Sequence, residues 1–598
     1  MGLTRRQPLK TGIATGLGLL IPSAWPVFAH QRRQHQLRFR PRGLHNYLHK
    51  FIDPLPDLPA FRPDRTRVPG ADYYEITARQ FGQRLQSHLP VTTVWGYGSL
   101  QINDAPFHSP GFTFEARKER PVIVKWINHL PTDGHLFPVD FSLHWANPTS
   151  LPPTAPPDPP FPIPTVTHLH GGFTLPQFDG HPEAWFTPPG SPGQPYGHHY
   201  ISNLYAYGND QRATALWYHD HTEGLTRLNL CAGLAGFYLI RDEFDTGLPG
   251  QGLNLPKGPY EIPLMIQDRS INQDGSLFYP GDGQGAPPPV PPVWVPEFFG
   301  DVAVVNGRIW PFAEIEPRKY RFRIVNACNA RVLRLFFDSD LPLHQIGNDG
   351  GLLPAPVVLD KLVLAPADRA DVIVDFAPLR GKIIHLVNDA PNPFPEGEEG
   401  VDPLAQIMQF RVTRVLRGRD TSDIPTVHDL AAAAPPPLGE ASLVRDIALD
   451  EQVDPSDSPI ILTLEGKTWD EPVATKPKQG ATEIWRLINP TGDTHPIHLH
   501  LAQFEVLDRQ PFDAEAYLRG EGLDFPGPLA PREENEAGRK DTVRVNSREV
   551  TRIKAKFDLP TYRQIELPPG VTAPQYVMHC HILEHEDNQM MRPYEVEV

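Results

Sequence analysis

The sequence predicts an all-β protein built from three related β-domains, and three observations carry that expectation. The chain has 71 prolines in 598 residues. Proline lacks an N–H and clashes with the turn before it, so this usage disfavours long helices and suits short strands joined by turns. The length also exceeds one core at the usual ~100 to 200 residues per domain. Finally, an alternating strand running into an asparagine recurs three times: "VIVKWIN" ending at Asn128, "YRFRIVN" ending at Asn326 and "EIWRLIN" ending at Asn489. Each copy is followed by a second strand-like segment carrying histidine, "HLHGG", "LHQIGNDGG" and "THPIHLHLAQF", which is the footprint of a repeated unit.

In chain order, residues 1–29 carry Arg5 and Arg6, an apolar stretch and Val27-Phe28-Ala29. That is the order of a cleavable export signal, and the paired arginines point to the twin-arginine route. The mature form is expected to begin near His30 and to reside in the periplasm or outside the cell. Residues 30–70 are basic and read as a solvated arm, with His30, His35, His45 and His49 as surface groups. The domains are expected at 71–242, 243–415 and 441–598, with an alanine- and proline-rich linker at 416–440. The proline-rich stretches 151–164 and 284–293 read as rigid surface loops.

Composition narrows the function. No run approaches the ~20 apolar residues of a membrane span. The formal charge of -16 argues against nucleic acid, whose phosphates attract basic surfaces. Three cysteines, Cys231, Cys328 and Cys580, cannot form a disulfide framework. Cys231 and Cys328 lie in apolar, strand-like segments and read as buried, inert thiols. Cys580 differs, because it stands between His579 and His581.

Histidines spaced i, i+2 on a strand put both imidazoles on one face. The chain has four such pairs, His168/His170, His219/His221, His498/His500 and His579/His581, where 25 histidines give about one by chance. Two pairs belong to the first domain and two to the third, so eight imidazoles can converge between them, a usual place for a ligand site. On the same strand Cys580 points away from His579 and His581. It needs its own partners, and Cys580-x4-His585-x4-Met590 with His495 supplies a thiolate, two imidazoles and a soft thioether. A trigonal His2Cys set with a weak axial methionine suits blue copper. Zinc would want one closed tetrahedral set and explains neither the methionine nor the other eight histidines.

"HLHGG", "WYHDH", "THPIHLHLAQF" and "HCHILEHEDNQMM" stand in the order of the four copper motifs of multicopper oxidases. From about residue 50 the chain resembles that family, most of all bacterial spore-coat-type laccases and bilirubin oxidases, and the similarity includes "VNGRIWP" and "EPRKYRFRIVNA" in the middle domain. A departure is the long insertion "QINDAPFHSPGFTFEARKERP". The resemblance implies three cupredoxin-like Greek-key β-barrel or sandwich domains and four copper ions. By it His495, Cys580 and His585 bind a type 1 copper with Met590 axial, and His168 and His498 bind a type 2 copper. His170, His219, His221, His500, His579 and His581 then bind a type 3 pair.

The implied activity is one-electron oxidation of phenols, aromatic amines or tetrapyrroles, coupled to four-electron reduction of dioxygen to water. Electrons would enter at the edge of His495 or His585 and pass through Cys580 to His579 and His581. Glu586 and Asp179 match acidic positions near the cluster, where burial is expected to raise a carboxyl enough for proton delivery. Expected partners are a small-molecule reductant and dioxygen, with no nucleic acid and no membrane span, and the expected state is a monomer. A cuprous-ion oxidase is a second class; such enzymes use methionine-rich inserts, and the chain has only six methionines. A non-enzymatic scaffold or copper store is a third, against which the complete ligand set argues. Asp541 in "GRKDTVRV" reads as a turn-ordering residue, and His198 and His199 as loop residues. The reductant pocket is expected beside His495, bordered by "GEGLDFPGPLAPREENEAGRKD".

Overall fold

Each repeated strand pairs in parallel with the first long strand of its region. The computed structural model describes residues 48–598 apart from 101–105, 150–160, 282–292, 396, 398–402 and 456–458. Within it Val122–His129 lies parallel to Asp72–Gln83, Lys319–Asn326 to Glu261–Ile271, and Thr482–Asn489 to Leu443–Val453. The terminal asparagine does the same work three times. Oδ1 of Asn128, Asn326 and Asn489 accepts the N–H of Leu130, Cys328 and Thr491. Their amide groups donate to buried carbonyls, Ile163 and Phe186, Arg331 and Leu364, Asp493 and Val545. An aspartate could accept but not donate there, and all three positions are fully buried, so the corner requires asparagine.

The described residues form an all-β body. The first region holds two four-stranded sheets, the middle an eight- and a five-stranded sheet, and the third a six- and a four-stranded sheet. Buried aromatics fill the space within each region: Trp126 and Tyr218 in the first, Phe322 and Phe410 in the middle, Trp485 and Phe557 in the third. Replacing one of these by alanine costs about 3 to 5 kcal/mol through lost transfer energy and the cavity left behind. No helix among the described residues is long and apolar enough to cross a membrane.

Three readings change with the structure. From residue 48 the arm is not free: most of its residues stay partly or fully exposed, but a few pin it to the body. Leu58 and Phe61 are buried; Phe51 and Leu55 donate their N–H groups to Trp310 and Phe312, and Phe61 donates to Thr113. The strap thus crosses from the middle region to the first, driven by apolar side chains that its basic composition masked. His49 is exposed, with its ring edge against His88; His30, His35 and His45, like Arg5, Arg6 and the 27–29 site, lie outside the described residues. The 416–440 linker contains a helix, Val427–Ala433, with a capping box between Thr426 and Asp429 and with Leu430 and Ala433 buried. Cys231 sits on a helix, Thr226–Ala232, not a strand. Third-region Asp587 accepts the N–H groups of Thr226 and Arg227 and pairs with the Arg227 guanidinium, so a partner distant in sequence supplies the cap. Cys231 and Cys328 are buried free thiols, and burial pushes Cys231 up to about 12. Most of the two proline-rich loops lies outside the described residues.

Candidate metal centre

Strand register sorts the donors into two sets. Gln575–Cys580 pairs with His495–Leu499 so that Ile497 faces Cys580 and His498 faces His579. Side chains alternate along a strand, so His498 and His579 share one face while Cys580 and His495 lie on the other. In the first region Thr167–His170 pairs with Thr214–Asp220, His168 opposite His219, which brings both i, i+2 pairs of that region to a common face.

On the cysteine face, Cys580 Sγ lies 3.6 Å from His495 Nδ1 and 3.8 Å from His585 Nδ1, and the two nitrogens are 3.3 Å apart. A point equidistant from three atoms so spaced is about 2 Å from each, the length of a bond from nitrogen or sulfur to a first-row metal. His585 reaches this position because the chain turns at Ile582 into a helix, Leu583–Asp587. Met590 is fully buried; its carbonyl accepts the Cys580 N–H, and its own N–H donates to His585. His495 Nε2 lies 2.8 Å from Thr491 Oγ1, which orients the ring. Burial pushes the Cys580 thiol well above its ordinary range, so a thiolate here requires a cation to stabilise it.

On the opposite face eight imidazoles converge in three groups, two of which share His500: His168, His498 and His500; His170, His219 and His581; His221, His500 and His579. All are buried. Burial lowers the basicity of His168, His170, His498, His500 and His581 strongly, holds His219 near 3 and His221 near 4, and so keeps these rings neutral. Their hydrogen bonds fix where the lone pairs point. His168 and His498 donate Nδ1–H to the carbonyls of Asp179 and Asp541 at 2.5 and 2.8 Å, and the Nε2 atom of each is buried with no partner. His219 donates Nδ1–H to Asp220 O at 2.8 Å, and His170 donates Nε2–H to Asp541 Oδ1 at 3.1 Å. His170 Nδ1 and His219 Nε2 are thereby left facing each other, lone pair to lone pair, at 3.3 Å. His579 Nε2 likewise stands 3.3 Å from His221 Nε2 and 3.4 Å from His500 Nε2. Opposed lone pairs in a dry interior are stable only around cations, so the residues fit several metal ions. With a cysteine sulfur between two imidazoles on the other face and the buried Met590 next to it in the backbone network, the donor chemistry suits copper.

Three carboxylates back the imidazoles. Asp179 Oδ2 lies 2.7 Å from His500 Nδ1, and burial pushes Asp179 up to about 7. Glu586 lies 3.0 Å from His579 Nδ1 and 3.7 Å from His221 Nδ1. Burial would raise Glu586 too, but the two facing imidazoles outweigh it and hold the carboxyl down to about 2. The rise expected at Glu586 is therefore reversed. Asp541 is the residue that sequence reasoning discounted. It is buried, orients His170 by its carboxylate and His498 by its carbonyl, and is clasped by the Arg369 guanidinium of the middle region, with Nη1 2.7 Å from Oδ1 and Nη2 also on Oδ2. Only its place directly before the strand Thr542–Val545, which pairs with His495–Leu499, could have marked it. His198 is exposed, and His199 stacks on His181 away from both sets. The segment 520–541 pairs with Phe504–Pro511 through Ala530–Pro531 and ends at Asp541 in the histidine set.

Several known proteins match the chain over most of its length. The family model described as multicopper oxidase matches residues 445–598. A laccase of Bacillus subtilis (strain 168) is 42% identical over 550 residues, covering 92% of this chain and 99% of that protein. A laccase of Bacillus stratosphericus is 42% identical over 557 residues, with 92% and 99% covered. The crystal structure of the McoA multicopper oxidase from Aquifex aeolicus superposes with a TM-score of 0.68 at 25% identity, covering 92% of this chain and all of that one.

Proposed function

The chain belongs to the multicopper oxidase family, a laccase-like, copper-dependent oxidoreductase that uses dioxygen, and from that membership we propose how its two donor sets divide the work. His495, Cys580 and His585, with Met590 as a weak soft donor, would hold a type 1 copper. His168 and His498 would hold a type 2 ion, and His170, His219, His221, His500, His579 and His581 a type 3 pair, four ions in all. Bound copper supplies one-electron acceptance on the cysteine face and four-electron reduction of dioxygen to water on the histidine face. The observation that carries this reading is that Cys580 is covalently continuous with His579 and His581 while facing away from them. An electron accepted beside the sulfur thus has a through-bond path to the other face.

The chain's own groups do the rest. Asp179, near neutrality in its titration, is suited to hold and release a proton at His500. Glu586, kept ionised between His579 and His221, is suited to draw protons toward the site and to balance its positive charge. The reductant class that fits is phenolic, aromatic amine or tetrapyrrole, oxidised one electron at a time beside His495 or His585. Both rings are fully buried, so electrons cross the side chains that cover them. A cuprous-ion substrate finds less support: five of the six methionines are described, and all five are buried. The three repeats are assigned to 71–242, 243–415 and 441–598, in a monomer exported by way of Arg5 and Arg6. Oxygen uptake with a panel of such reductants, in wild type and Cys580→Ser, tests the reading. Turnover should vanish in the variant, and persistence near the wild-type rate overturns it.

A further inference from the structure

Met590 stands in an irregular connection. The helix Leu583–Asp587 ends before it and the strand Met591–Glu595 begins after it, so residues 588–590 belong to neither. Gln589 has a φ of 78°, in the left-handed region that side chains other than glycine's disfavour. Such a backbone persists only where its surroundings over-determine it. Here they come from one segment distant in sequence, 460–472. Asn588 donates from Nδ2 to Ile460 O at 3.0 Å, and its carbonyl accepts the Leu462 N–H at 3.2 Å. Gln589 Oε1 accepts the Trp469 N–H at 2.7 Å, and the Trp469 side chain packs with Met591 and Val577.

That segment is gripped a second time from just beyond Met590. Arg592 is fully buried, and its guanidinium serves four main-chain carbonyls. Nη1 donates to Thr468 and Trp469, the latter at 3.0 Å, and Nη2 donates to Glu471 and Pro472, both at 3.0 Å. Acceptors spread over one loop in this way suit a planar fork; a lysine carries its three donors on a single nitrogen. Gln589 and Arg592 thus tie the same loop to the chain on either side of Met590. Between them, the Met590 carbonyl accepts the Cys580 N–H and its N–H donates to His585 O.

We infer that Arg592 is a positioning residue for the cysteine face: by clasping the carbonyls of 468–472 it holds that loop against 588–590 and sets where Met590 stands beside Cys580 and His585. The inference rests on the reading of Met590 as the soft donor there. Redox titration of the copper-loaded enzyme tests it. Arg592→Lys keeps the charge and gives up the fork, so the connection loosens and the potential of the cysteine face should rise, by less than in Met590→Leu. In the double variant Arg592→Lys should add no further rise, because its effect passes through the lost thioether. A lowered melting temperature with an unchanged potential, the mark of a merely structural arginine, overturns the inference. An equal rise with and without Met590 does so too. Should Arg592→Lys fail to fold, Gln589→Leu, which removes the acceptor of the Trp469 N–H from a half-buried side chain, is held to the same two criteria. No rise in Met590→Leu sinks the axial reading and the inference with it, whereas a rise there with none in Arg592→Lys sinks the inference alone.

Discussion

The two donor sets occupy opposite faces of one strand, yet they are assembled in different ways. The cysteine set is local: Cys580 and His585 are joined by a single turn and a short helix, and His495 lies on the neighbouring strand. The histidine set draws four strand segments from two regions, with Asp179 on one side, Glu586 on another and Asp541 clasped by Arg369 of the middle region. Metal loading therefore depends on tertiary closure at the histidine set alone. A local set needs only its own region folded, whereas the histidine set exists only once the first and third regions dock, so binding there is coupled to folding.

Cys580→Ser should divide the two sets most sharply. Blue absorption and oxygen uptake should fall to background while copper on the histidine face remains, as read by metal analysis and electron paramagnetic resonance. Loss of all copper instead would show that the sets do not assemble independently. The next largest effect is expected at the clasp. Asp541→Ala removes the acceptor that orients His170, and a lost group of this kind costs about 10 to 100-fold in metal affinity or activity. The blue band should survive while copper of the histidine face is lost; an unchanged copper content would return Asp541 to the role of a turn residue.

Asp179 and Glu586 compare the two sides of the histidine set. Asp179→Asn removes proton exchange while keeping shape and should lower steady turnover by about 100-fold, the low end for general acid–base assistance; Glu586→Gln removes a fixed negative charge and should lower turnover as well. Anaerobic reduction of the cysteine-face copper, followed by stopped flow, should stay fast in both. Slowed reduction with normal reoxidation would contradict the proton roles. The pH profile separates them. Asp179 titrates near 7 and its protonated form is the donor, so wild-type turnover should decline as pH rises past about 7. That limb should persist in Glu586→Gln and disappear in Asp179→Asn. The smallest change is expected from Met590→Leu, which removes a thioether that helps stabilise oxidised copper and should raise the potential of the cysteine face. A redox titration showing no rise would count against Met590 as the axial donor.

The all-β class and the recurring strand are legible in the chain alone, as are the histidines and the cysteine that the fold gathers. Each of these is written in local periodicity: alternation places His498 with His579 and Cys580 away from them, and the strand-ending asparagines mark corners that only a side chain able to both donate and accept can close. Tertiary structure decided what depends on partners distant in the chain. The helix Thr226–Ala232 looks like strand in isolation and is capped by Asp587, more than 350 residues away. Asp541 becomes part of the site because Arg369 and His170 meet it. Glu586 and Asp179 are both buried carboxylates, alike from sequence. The imidazoles facing Glu586 hold it down to about 2, whereas burial dominates at Asp179 and takes it to about 7. A charge takes its titration from the groups packed around it, and that packing exists only in the folded chain.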